Sequence, residues 1–165
     1  MPSATGHDAD DSVDAITDAL LTASRLLVAI SARSIADVDE TLTIPQFRTL
    51  VILTNHGPVK LATLAGLLDV QPSTTGRMVE RLVAAGLLDR RQNPDSRREL
   101  VVDLTARGRE VVTAVTAARR TALADVVAQM PSADRHGLVR ALSAFTRAGG
   151  EPAASSNPET IDGGD

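Results

Sequence analysis

The chain of 165 residues contains no cysteine, tryptophan or tyrosine, and Phe47 and Phe145 are its only phenylalanines. Without cysteine there is no disulfide framework, no thiolate metal site and no thiol redox sensor. No apolar stretch approaches the roughly 18 residues that span a bilayer, so no membrane partner is expected. Residues 1–11 are acidic and lack an apolar core, which argues against a signal peptide and leaves the cytoplasm as the expected compartment. His7, His56 and His136 are scattered and make no metal cluster, and no cofactor is expected. A cysteine nucleophile, a phosphate-cradling glycine loop and paired carboxylates on a rigid element are all missing, so the chain does not read as an enzyme. The scarcity of rings has its own consequence. A large aromatic side chain buries roughly 150–250 Å², so a core of Leu, Val, Ile and Ala is thin for an isolated monomer. Helix surface buried against a second copy makes up the shortfall.

Hydrophobic residues make up 43% and charged residues 23%, as in an ordinary globular protein. The net charge of −4 conceals an uneven distribution. Residues 1–44 carry two basic and eight acidic side chains, and residues 110–165 carry five and seven. Residues 45–109 carry ten basic and six acidic. A cationic middle in an acidic protein suits a nucleic-acid face, although arginines that merely solvate helices give the same count.

Residues 1–11 and 149–165 are polar and rich in Gly, Pro and Ser, and read as loose tails. Between them the patterning predicts six helices and a β-hairpin. The first helix runs from Ser12 to Glu40, with Ile16, Leu20, Ala23, Leu27, Ile30 and Ser34 forming an apolar seam over roughly 40 Å. Thr43 and Gln46 have capping-box spacing, with Pro45 in the first turn of a second helix that stops at Gly57-Pro58. A short third helix carries Leu61, Leu64, Ala65 and Leu68. After a turn at Asp69-Val70-Gln71, a fourth helix starts at Pro72 and closes near Gly86, its buried stripe made by Met78, Val79, Leu82 and Val83. Leu87–Arg91 and Arg98–Leu104 form the hairpin around a turn at Gln92–Ser96. Thr105 caps a fifth helix, and Pro131 separates it from a last one with Leu138, Leu142 and Phe145 on one face.

Two helices joined by a tight turn and followed by a hairpin with a basic tip make a winged helix-turn-helix. The second helix of such a pair fits the major groove of B-DNA, about 12 Å wide, with its N-terminal residues at the base edges. Here those residues are Ser73, Thr74, Thr75 and Arg77. The hydroxyls let the backbone approach closely, Arg77 has the geometry to read guanine, and Arg81 is placed to hold phosphate. Arg97 and Arg98 at the wing suit a narrow minor groove. The bland alternatives are a solvated helix face and a polar turn. His56 complements a helix C-terminus, and Met78 is a core residue.

From Leu42 to Gly108 the sequence resembles the MarR (multiple antibiotic resistance regulator) family. The resemblance is carried by LTIPQFRTL, LATLAGLLDVQPSTTGRMVERLVAAGLLDRR and NPDSRRELVVDLTARG. The family's wing reads Asp-x-Arg, five residues, then Leu-Thr. Counting back from Leu104-Thr105 places its arginine at Arg98 and its aspartate at Ser96, whereas this chain carries Asp95 one place earlier and Arg97 beside it. The resemblance implies a mainly α fold: a winged helix-turn-helix at 43–104 with a small β-hairpin wing, and a helical dimerisation domain built from 12–42 and 105–148. It implies a homodimer on double-stranded DNA, a palindromic operator, and repression relieved by a small apolar or aromatic effector, with Phe47 and Val51 in the lining. A different class stays open, a helical dimer that binds a small molecule or a protein and has lost its DNA target.

Overall fold

The computed structural model describes residues 12–151, so the expected tail at 1–11 and nearly all of that at 149–165 lie outside the described residues. The described residues form seven helices and a three-stranded sheet. Helix α1, Val13–Ala36, begins at an N-cap where the Ser12 side chain accepts the Ala15 N–H at 3.1 Å. It stops four residues before the expected Glu40. The Asp39 carboxylate accepts both the N–H of Thr41 at 3.0 Å and its hydroxyl at 2.6 Å, which bends the chain away from the helix axis.

The next boundaries follow local chemistry. Helix α2, Ile44–His56, opens on a complete capping box, with Gln46 Oε1 accepting from Thr43 N at 2.9 Å and Thr43 Oγ1 accepting from Gln46 N at 3.3 Å. It ends at Gly57, whose φ of +70° favours glycine. Strand β1, Val59–Lys60, leads directly into α3, Leu61–Leu68, and α4, Pro72–Ala84, follows after a turn. Strands β2, Leu88–Asn93, and β3, Ser96–Leu104, form the wing. The sheet order is β1-β3-β2, antiparallel throughout, so the expected hairpin gains a third strand on its β3 edge. Helix α5 spans Ala106–Gln129. The last expected helix is two, α6 at Ser132–Arg135 and α7 at Leu138–Ala148, divided where Gly137 takes φ +77°.

One core joins helices α1 to α5 and the sheet. Leu50 and Leu53 of α2, Leu64 of α3, Val79 and Leu82 of α4, Val102 of β3 and Val115 of α5 are all essentially inaccessible. Each such aliphatic side chain contributes roughly 1.5–3 kcal/mol of hydrophobic stabilisation. Ile35 of α1 and Val111 and Val112 of α5 belong to the same cluster. One compact unit ends at Leu123 and a second begins at Ala124, within α5.

The first half of α1 contributes little to that core. Ile16, Leu21, Leu26, Leu27 and Val28 are all exposed, and burial begins only at Ile30. With 24 residues and an apolar composition, α1 is long and apolar enough to cross a membrane. This corrects the expectation that no such segment exists. Asp14, Asp18, Arg25 and Arg33 interrupt the apolar run in the sequence without lowering its average enough to exclude it. In the second unit, Val139, Leu142 and Phe145 of α7 are likewise exposed.

Candidate nucleic-acid interface

Helix α4 has two faces of different chemistry. Thr75, Val79 and Leu82, at spacings of four and three, are buried and fix the helix on the core. Ser73, Thr74, Arg77 and Arg81 are all exposed on the other side. Thr75 therefore departs from the expectation that groups it with the base-edge residues. It is fully buried, and its hydroxyl donates to the Gln71 carbonyl at 3.2 Å, so it anchors the helix and does not face a groove. Its spacing from Val79 and Leu82 is the signal that would have placed it there.

The start of α4 has no side-chain cap. First-turn amides have no partner within a helix, so those of Ser73 and Thr74 are available to an anion such as a phosphate oxygen. Glu80 lies on the exposed side too, and its carboxylate pairs with Arg90 of β2 at 3.5 Å. Both partners are largely solvated, so the pair adds little stability. It does link the exposed side of α4 to the wing. Sequence reasoning had singled out neither residue, because nothing in local spacing connects position 80 to position 90.

The wing carries an irregularity at its end. The β2–β3 ladder is regular from Leu88↔Leu104 to Gln92↔Leu100, then jumps to Asn93↔Ser96. Arg97, Arg98 and Glu99 consequently lie on β3 with no counterparts on β2, next to a turn at Pro94-Asp95. The Arg98 side chain is exposed. Asn93 braces the bulge from both sides of its amide: Oδ1 accepts the Asp95 N–H at 3.1 Å, and Nδ2 donates to Glu99 Oε2 at 2.9 Å. The same Glu99 oxygen meets Lys60 Nζ of β1 at 2.9 Å. Hydrogen bonding from Lys60, and then from Asn93, holds the Glu99 carboxyl below its ordinary value of 4.5.

Residues expected to line an effector site sit deeper. Phe47 is 7% exposed and part of the core, while Val51 is half-buried against it. An open depression of about 610 Å³ is lined by Ala36, Val38, Asp39, Glu40, Thr41, Ala85 and Arg107, and includes neither. Hydrogen bonds from the Thr41 hydroxyl and amide lower the Asp39 pKa below its ordinary 3.8. The His56 ring bonds the Ile52 carbonyl of its own helix at 3.0 Å, a structural role at the C-terminus of α2. Among the described residues, no group of three His, Asp or Glu is placed to hold a metal ion.

A model of the MarR family matches residues 42–100, from the approach to α2 through most of the wing. The crystal structure of RV1404 from Mycobacterium tuberculosis is 72% identical with a TM-score of 0.81, covering 88% of this chain and 99% of that one. The HTH-type transcriptional repressor NicR of Pseudomonas putida is 38% identical over 47% of this chain and 49% of its own length. BpsR of Bordetella bronchiseptica, whose DNA binding is regulated by 6-hydroxynicotinic acid, is 27% identical with a TM-score of 0.61, covering 79% of this chain and 98% of that one. The chain spans about half the length of the curated relatives it matches.

Proposed function

The chain belongs to the MarR family of transcription regulators, and from that premise we propose that it is a repressor that binds a palindromic operator as a homodimer and is released by a small molecule. The observation that carries the DNA reading is the exposed side of α4. Ser73, Thr74, Arg77 and Arg81 stand clear of the core on the helix that a helix-turn-helix inserts into the major groove. The wing adds Arg98 and the backbone position of Arg97 nearby, where a second contact to phosphate or the minor groove suits arginine. A dimer that had abandoned DNA would have no use for this arrangement.

The homodimer reading rests on α1 and α7. Both expose rows of large apolar side chains that a single copy leaves in water, and exposed apolar patches mark interaction surfaces. Burial against a second copy accounts for the membrane-like composition of α1 and lets Asp14, Asp18 and Arg25 stay hydrated at its margins. A bilayer would have to take up those charges at a cost of roughly 2.5–3.5 kcal/mol each. This favours a cytoplasmic regulator and leaves the membrane reading second.

Repression and ligand release are supported by the relatives named NicR and BpsR, a repressor and a regulator governed by a hydroxylated pyridine acid. The experiment that tests the proposal is footprinting on DNA upstream of the chain's own gene, together with a salt titration of the complex. The expected outcome is two protected half-sites one helical turn apart and an affinity that falls steeply with salt. Equal, weak affinity for every duplex would overturn it.

A further inference from the structure

We propose that Lys60, Asn93 and Glu99 form a register lock for the wing, positioning residues that hold the Arg97-Arg98 bulge in place and do not themselves contact DNA. The inference rests on the DNA-binding reading for its consequence, and on the free protein alone for its existence.

A bulge that leaves residues 97–99 without ladder partners is a weak point in a hairpin, because a shift in register removes it and turns each side chain to the opposite face. Something must hold the register. On β2 the Asn93 amide ties the turn at Asp95 to the bulge at Glu99. On the opposite edge of β3, Lys60 is in register with Val101. Glu99 stands two residues from Val101 on β3, so Lys60 and Glu99 form a diagonal cross-strand pair. One carboxylate oxygen therefore receives hydrogen bonds from both neighbouring strands. Lys60 immediately precedes α3, so the lock connects the wing tip to the helix-turn-helix and does not depend on the hairpin alone.

The chemistry separates this role from a direct electrostatic one. Lys60 is the one lysine of the chain and lies in its cationic middle, so it invites assignment as a phosphate contact. Its ammonium is engaged by Glu99 instead. If local charge were all that mattered, deleting the Glu99 carboxylate next to a polyanion would strengthen DNA binding. If Glu99 sets the register, the same deletion weakens it. Both side chains of the pair are about half exposed, at 51% and 41%. Losing it therefore has little effect on global stability, and the variants should fold.

The test compares Glu99→Ala, Lys60→Met and Lys60→Arg in the full chain. Amide exchange of Leu100, Val101 and Val102, the ladder residues beside the bulge, is measured first, without DNA. Glu99→Ala and Lys60→Met should accelerate it by about three- to fivefold. Lys60→Arg should preserve protection, and melting temperature should barely move in all three. Affinity for a labelled duplex from upstream of the chain's own gene is measured next. Glu99→Ala should bind about five- to tenfold more weakly, and Lys60→Arg should bind like the native chain. Unchanged exchange at Leu100, Val101 and Val102 in Glu99→Ala overturns the lock, and so does equal or tighter duplex binding by that variant. If the native chain binds no duplex, the DNA reading fails, and the exchange data alone decide whether the lock exists.

Discussion

The hydroxyl of Thr105 donates to the carbonyl of Gly86 at 2.7 Å, joining the residue that closes the α4 segment to the residue that opens α5. The same oxygen accepts the Gly108 N–H at 3.0 Å, and the Thr105 amide donates to the Leu87 carbonyl at 3.1 Å. The wing leaves and returns through this clasp. One threonine thus caps α5 and ties its start to the turn that follows α4. Gly108 is part of the device, because a Cβ there would be driven into the Leu87 carbonyl oxygen and against Leu104.

The clasp predicts two distinct losses. Thr105→Ala removes a cap and the bond to Gly86, and should cost about 1–2 kcal/mol. Gly108→Ala adds a methyl where backbone already stands, and should cost about 1–3 kcal/mol. Urea unfolding followed by circular dichroism measures both. A Gly108→Ala variant as stable as the native chain would show that α5 does not press on Leu87 as described.

Glu99 gives a prediction in pH. Its carboxyl is held below its ordinary 4.5 by Lys60 and then Asn93. A group whose pKa is depressed on folding stabilises the folded form above the unfolded value, and that contribution disappears as pH falls through the folded value. The wing bulge should therefore be fully braced at neutral pH and loosen only below 4.5. Carboxyl chemical shifts followed through an acid titration should give Glu99 a midpoint below 4.5 in the native chain, moving up toward it in Lys60→Met. A native midpoint at or above the ordinary value contradicts the bracing.

The exposed half of α1 predicts assembly. Ile16, Leu21, Leu26, Leu27 and Val28 need a cover, and an obligate interface should bury on the order of 2,000 Å² or more. Light scattering should show a dimer at micromolar concentration. Leu27→Asp should shift it toward monomer, because an unpaired carboxylate is costly to bury. A native chain that scatters as a monomer refutes the assembly.

What the sequence made legible was local chemistry. The Thr43–Gln46 box, Pro45, Pro72 and the glycines at 57 and 86 mark helix limits through bonds within a turn of themselves, and the structure places those limits within a residue or two. Features that depend on distant partners were not legible. β1 is two residues long, too short to display an alternating pattern, and exists only because β3 lies beside it. The end of α1 is set by Asp39 turning back on Thr41, which competes with helix propensity without changing the apolar pattern. At the candidate site, Arg77 and Arg81 could be read from the polar side of one helix. Thr75 is separable from Thr74 by its four- and seven-residue spacing to Val79 and Leu82, and burial shows which way each faces.

That distinction allows the two elements proposed to read DNA to be tested separately. Arg77 is exposed on α4, so Arg77→Ala should cost roughly 1–3 kcal/mol of binding and relax preference at one base position per half-site. Thr75→Val is the internal control. It removes a buried hydroxyl bonded to Gln71, so it should lower stability by about 0.5–1.5 kcal/mol and leave base preference intact. On the proposed reading, Arg97 and Arg98 meet the minor groove, which offers a poorer code. Replacing both with Ala should weaken binding to operator and random duplex alike and flatten the salt slope, since fewer counterions are displaced. Salt titrations of both duplexes with each variant decide the matter. A wing variant that kept the native salt slope and lost discrimination at a central base pair would move base reading from α4 to the wing. A Thr75→Val variant with altered base preference would return that residue to the groove.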